Sequence, residues 1–143
     1  MTVDLRMGFV RDRIQVGPSE YVVRRGRQGW RHVVDPRGNG GRVRYDSWRD
    51  RIFIESPVGS LQIRFRWRNT TFLWRGRRYR ITPMIWSRIT IFDGDRPVVD
   101  ARLTWSGVHL ECLGPDFQPI ERELAIGLGQ RAVALTMAMA SVG

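Results

Sequence analysis

Guanidinium groups dominate the chemistry this sequence could perform. All 24 of its basic residues are arginine, against 14 acidic residues, and the net charge is +10. A preference for arginine over lysine is what GC-rich coding gives, but that does not explain the sign of the net charge. Two stretches set arginines at alternate positions. In residues 60–68, Arg64, Arg66 and Arg68 alternate with Leu61, Ile63, Phe65 and Trp67, which predicts a strand with one solvated and one buried face. Residues 71–80 read as a hairpin around a two-residue Arg75-Gly76 turn, pairing Trp74 with Arg77 and Phe72 with Tyr79. Phe72, Trp74, Tyr79 and Ile81 then share one face, and Arg78 and Arg80 the other, with Arg75 in the turn. If the two stretches are neighbours, their backbones lie about 4.8 Å apart. Arg64, Arg66, Arg68, Arg75, Arg77, Arg78 and Arg80 would then form one dense basic patch. Such a patch suits bidentate recognition of phosphate. The competing reading is a solvated outer face with cross-strand pairs to Asp or Glu.

Other chemistries find little support. His32 and His109 are the only histidines, and neither sits in a metal-spaced motif. There is no nucleophile elbow, no phosphate loop and no carboxylate pair in an identifiable cleft. Cys112 is the single cysteine, so it forms no internal disulfide and builds no cysteine zinc site; its alternation with Leu110 makes it a core thiol in a reducing, cytoplasmic setting. The expectation is a protein that is not an enzyme and carries no cofactor or metal. Trp67, Trp74, Trp86 and Tyr79, interleaved with arginines, could stack on bases. The alternation instead assigns Trp67 and Trp74 to the apolar face, as core. A second basic group, Arg24, Arg25, Arg27 and Arg31, flanks a turn near Gly26 and Gly29 and reads as an exposed hairpin tip.

The elements that must position these residues are short. Runs at 5–10, 21–25, 30–34, 42–45, 51–55, 88–92, 97–105 and 108–112 are rich in β-branched or aromatic residues. Gly, Pro, Asn and Asp clusters separate them, at a spacing of about 8 to 12 residues. The glycine stretch 38–41 reads as the one mobile loop. After Gly114-Pro115 a helix is predicted over 119–141, with Asp116 or Gln118 as cap and Glu121 and Glu123 at the positive end of its dipole. From Leu124 to Val142 the only ionisable side chain is Arg131, and many residues are alanine. A slim helix, apolar nearly all round, is expected to be buried. A membrane span is disfavoured, because a central Arg costs about 2.5–3.5 kcal/mol on insertion scales. Arg131 should therefore find a carboxylate or carbonyl partner, or sit at a barrel mouth. Residues 1–10 do not read as a signal peptide. The reading is a single domain over 1–143, all-β with one helix: a closed antiparallel β-barrel of about 10–12 strands (residues 5–113) around a buried C-terminal helix.

The hairpin at 71–80, followed by a terminal apolar helix after about ten strands, resembles the Tubby C-terminal-like superfamily, which includes the LURP-one-related proteins and the phospholipid scramblases. The resemblance covers nearly the whole chain. It implies a barrel of about twelve strands surrounding a hydrophobic C-terminal helix, and a preference for anionic lipid head groups. The calcium-binding segment of the scramblases has no counterpart, since Asp93-Gly94-Asp95 is a turn without the further oxygen ligands calcium requires. The functional expectation is a non-catalytic binding module, cytoplasmic and peripheral at the membrane. Its arginine face would meet an anionic membrane surface or an acidic protein partner, with nucleic acid as the alternative.

Overall fold

The computed structural model describes residues 2–6, 12–104 and 107–142, with side chains described through residue 139. Twelve strands precede one long helix: β1 (Thr2–Arg6), β2 (Asp12–Val16), β3 (Ser19–Arg25), β4 (Arg31–Val34), β5 (Arg42–Asp46), β6 (Arg51–Ser56), β7 (Gly59–Arg64), β8 (Thr70–Trp74), β9 (Arg77–Ile81), β10 (Arg88–Asp93), β11 (Arg96–Thr104), β12 (Gly107–Cys112) and α1 (Glu121–Val142). The strand expected at 5–10 begins earlier, at Thr2, and residues 7–11 lie outside those described. Trp105 and Ser106 do as well. β2 was not among the expected runs. It is short, and Asp12 takes one of its inward positions beside Ile14 and Val16.

All twelve strands belong to one antiparallel sheet, in the order β7-β6-β5-β4-β3-β2-β1-β12-β11-β10-β9-β8. Two sequential meanders, β1–β7 and β8–β12, are therefore joined by a single long-range ladder. In it β1 runs against β12, with Val3 opposite Leu110. The sheet curls into a nearly closed barrel whose seam lies between β7 and β8, the two edges. Alternate residues point inward, for example Ile52 and Ile54 of β6 and Leu61 and Ile63 of β7, all at most 4% exposed. The hairpin register is the expected one, with Trp74 opposite Arg77 and Phe72 opposite Tyr79. Both turn residues, Arg75 (φ 52°) and Gly76 (φ 76°), are left-handed, as a tight hairpin turn of this hand requires.

Turns of a meander alternate between the two ends of a barrel, and this sorts the loops. One end, here the floor, carries turns 17–18, 35–41, 57–58, 75–76 and 94–95 and the connection 113–120. The other, the rim, carries loops 26–30, 47–50, 65–69 and 82–87. At the floor, Phe72, Trp74 and Tyr79 gather around Phe117, with ring centroids 6.0, 6.3 and 4.8 Å away. Trp74 Nε1 donates to the Asp116 carbonyl (2.9 Å), and the Tyr79 hydroxyl donates to its carboxylate (2.8 Å). That hydrogen bond and burial push the Tyr79 hydroxyl up to about 12, burial being the larger cause. Asp116 is thus occupied and does not cap α1. A 3-10 turn, Gln118–Ile120, leads into the helix with no side-chain cap. Trp74 also covers the seam. A Cβ on Gly59 of β7 would lie 3.5 Å from its ring, and Gly59 holds φ +146°.

The helix enters at the floor and leaves at the rim. Leu124, Ala125, Ile126 and Leu128 are at most 2% exposed. Gly127 brings the helix against the wall, since a Cβ there would meet Ile52 Cγ2 at 2.7 Å. Gly40 and Gly41, expected in a mobile loop, are packing residues too: a Cβ on Gly40 would lie 2.0 Å from the Val33 carbonyl oxygen, and one on Gly41 2.8 Å from that of Glu55. Beyond Gln130, however, the helix is not buried as expected: Val133 is 37%, Met137 68% and Met139 77% exposed. The reason is length. Six strand residues rise about 20 Å before tilt is counted, whereas the 22 residues of α1 extend about 33 Å. The barrel is too short to sheathe its own helix.

Candidate anion-binding surface

The seven arginines expected to form one patch divide into two groups. β8 lies between β7 and β9, so Arg78 and Arg80 do not project from the strand next to Arg64. The chain also leaves the sheet after Arg64, which places Arg66 and Arg68 in the rim loop 65–69 and not on a strand face. Arg75, Arg77 and Arg78 sit at or near the floor turn of the hairpin, with Arg80 between the groups, opposite Thr71. Along β8 the floor and rim groups are separated by about 13 Å.

Their neutralisation differs as well. Arg77 donates to Asp93 (2.9 Å), which also holds Arg96 (3.1 Å), so the Asp93 turn is an ion-pair node. Arg80 stacks over Phe92 at 4.4 Å and Arg75 lies over Trp74 at 5.8 Å. Arg64, Arg66, Arg68 and Arg78 are exposed and meet no carboxylate within ion-pair distance among the described residues. Of the second basic group, Arg25 and Arg31 approach the inward Asp12 at 3.6 and 3.8 Å. Arg27 stays exposed on the rim loop 26–30.

The rim has acids, but they are engaged. Asp46 accepts from Arg51 (3.4 Å) and from the backbone N–H of Trp48 (3.0 Å). Asp50 receives a two-pronged pair from Arg131 (2.8 and 3.1 Å) and the Tyr45 hydroxyl. Arg131 therefore has both the carboxylate partner and the position at the mouth that its place in an apolar helix demands. Its guanidinium also stacks over Phe65 at 3.9 Å. Burial opposes ionisation of Asp50, but the bonds from Arg131 and Tyr45 outweigh it and hold Asp50 below the usual carboxylate range. Gln130 adds a bond to the Gly29 carbonyl (3.1 Å), so the helix is fixed where it exits. With Asp12, Asp46 and Asp50 taken, Arg27, Arg49, Arg66 and Arg68 on the rim loops, and Arg64 just below them, have no carboxylate partner among the described residues.

The tryptophans correct the sequence reading most sharply. Trp74 is core, as expected. Trp67, assigned to the same apolar face, is 98% exposed, because the alternation it belongs to runs past the last strand residue. Trp86 and Trp48 are 96% and 90% exposed. All three lie on rim loops. Counting alternating turns along the sequence would have placed loops 47–50, 65–69 and 82–87 at one end; considering each strand alone hides it.

Elsewhere the chemistry is quiet. Cys112 is buried, and burial followed by the neighbouring Glu121 pushes its thiol up to about 12, so it is a poor nucleophile. No group of three or more metal-ligating side chains assembles among the described residues. No helix among them is long and apolar enough to cross a membrane. No protein-family model, curated protein or solved structure matches the chain.

Proposed function

We propose that the chain is a non-catalytic, Tubby-like binding module that docks on anionic phospholipid head groups. The observation that carries this reading is the cluster Arg64, Arg66 and Arg68, exposed and without a carboxylate partner among the described residues, at a barrel end whose acids are already engaged. Guanidinium groups crowded together repel one another unless an external anion matches them. Planar forks suit phosphate oxygens, and each basic residue near an anionic leaflet contributes about 1 kcal/mol. Arg78 and Arg75 extend the charge along the outer wall; Arg77 and Arg80, engaged with Asp93 and Phe92, are secondary. The twelve-strand barrel and its central helix are what a Tubby-like chain would have.

Co-sedimentation with phosphatidylcholine vesicles, with and without phosphatidylserine, tests the proposal. Binding should require the anionic lipid and weaken as salt rises through the range where the Debye length falls below about 8 Å. Replacing Arg64, Arg66 and Arg68 together by Gln should abolish it while leaving the melting temperature in place. Binding to both vesicle types alike, or to neither, overturns the reading. If vesicles fail and single-stranded DNA or RNA shifts at low salt, the nucleic-acid alternative replaces it.

A further inference from the structure

We infer that the rim is a membrane-insertion face, so that the barrel docks end-on and sinks the exposed tail of α1 and the tips of three loops into the head-group boundary of an anionic bilayer. This rests on the lipid-binding reading above and adds to it an orientation and an apolar anchor. Three tryptophans at least 90% exposed on a chain of 143 residues are unusual, since aromatic surface of this size is ordinarily buried. Here they lie on three loops of one end, while Trp74 at the other end is 2% exposed. Beside them stands the emergent helix, with no charged side chain between Ala132 and Met139 and with Met137 and Met139 open to solvent. Between the helix and loop 82–87 runs a groove of about 440 Å³ lined by Met84, Leu103, Val133 and Met137. Ile85, 60% exposed, continues the apolar surface on the same loop.

Charge complementarity selects the occupant. The apolar tips are interleaved with Arg27, Arg49, Arg66 and Arg68, which have no carboxylate partner among the described residues. A second copy meeting rim to rim would bring these like charges face to face. An anionic bilayer satisfies both chemistries at one depth: tryptophan favours the interface, and arginine reaches phosphate while its stem lies against apolar surface. The helix beyond Arg131 extends about 17 Å at 1.5 Å per residue, roughly half the hydrocarbon thickness of about 30 Å. It is an interfacial element by length. The Arg131–Asp50 pair marks the level at which the helix leaves the protein's own cover.

Intrinsic tryptophan fluorescence of the full chain, bound to phosphatidylcholine–phosphatidylserine vesicles with brominated acyl chains, tests the inference. The expected result is quenching in the wild type and its loss in the triple variant Trp48→Ser, Trp67→Ser, Trp86→Ser. That variant should also bind anionic vesicles at least about tenfold more weakly, given the apolar area each ring withdraws from water. Because the three sites are at least 90% exposed, its melting curve should match the wild type, which separates anchoring from folding. If the wild type binds anionic vesicles but is not quenched, and the triple variant binds equally well, end-on insertion is wrong while head-group docking stands. If the wild type binds no anionic vesicle, both fall. Should it form dimers whose rim tryptophans are shielded from aqueous iodide, a second copy occupies this face and the inference is overturned.

Discussion

The two ends of this barrel are made of the same residue types used in opposite ways. At the floor, aromatics are sealed inside and hold the connection into the helix. Trp74, Phe117 and Tyr79 pack together, Asp116 accepts from two of them, and Asp35 holds Arg122 at 2.8 Å. At the rim, Trp48, Trp67 and Trp86 face solvent, every described acid of the loops is engaged, and arginines are left over. The difference teaches where to look for function. Burial is saturated at one end, so aromatic residues there report on folding. At the other, Trp48, Trp67 and Trp86 are at least 90% exposed and contribute little to the core.

That contrast can be broken by substitution. The largest effect should come from the floor: Trp74→Ala opens a cavity at the seam and removes a buried hydrogen bond, costing about 3–5 kcal/mol, measurable by urea unfolding. Asp50→Ala, at the boundary between the two ends, strands Arg131 and the Tyr45 hydroxyl without their acceptor. A loss of about 1–3 kcal/mol is expected; an unchanged midpoint would show that the helix exit is not fixed by this pair. Glu123 gives a smaller effect with a pH signature. It is wholly buried, and one oxygen accepts from the Gly41 N–H (3.0 Å) while the other has no partner. Burial pushes it above the ordinary 4.5, and Glu121, on the same turn, shifts the same way for the same reason. The folded state therefore holds a proton that the unfolded state releases, and stability must fall as pH rises from about 4.5 through the raised value. Glu123→Gln should flatten that slope, stabilising the fold on the alkaline side while changing little near pH 4, as read from the urea midpoint across pH. The smallest effect belongs to the rim: ending the chain after Ala132 should shift stability by less than about 1 kcal/mol, whereas a truncation that melts the barrel would show the tail to be core after all.

How far the sequence carries this picture depends on whether a signal is local. The hairpin at 71–80 was legible to the residue, because a two-residue turn needing left-handed backbone and the Phe72–Tyr79 aromatic pair permit only one register. The other strands except β2, whose inward Asp12 breaks the apolar alternation, and the buried first half of the helix were legible for the same kind of reason. Trp67 was misread because alternation continues for a few residues after Arg64, where no ladder holds the chain. The division of the arginines was invisible for a different reason: it depends on β8 intervening between β7 and β9, and no periodicity within a strand records which strand lies beside it. The helix's exposed half needed a comparison of two lengths, strand rise against helix rise. Each element's pattern is silent on that.

The single β1–β12 ladder has a kinetic meaning. Every other ladder joins strands that are consecutive in the chain, so each meander can zip up from hairpins within microseconds to milliseconds of being free to do so. Closing the cylinder is different: Val3 must find Leu110, and the plug that fills the interior follows still later in the sequence. A nascent chain would thus pass through two half-shells with apolar concave faces and unpaired margins before it could become a barrel. On topology alone the expected slow step of folding is the meeting of those half-shells, whose apolar concave faces stay exposed until the β1–β12 ladder forms.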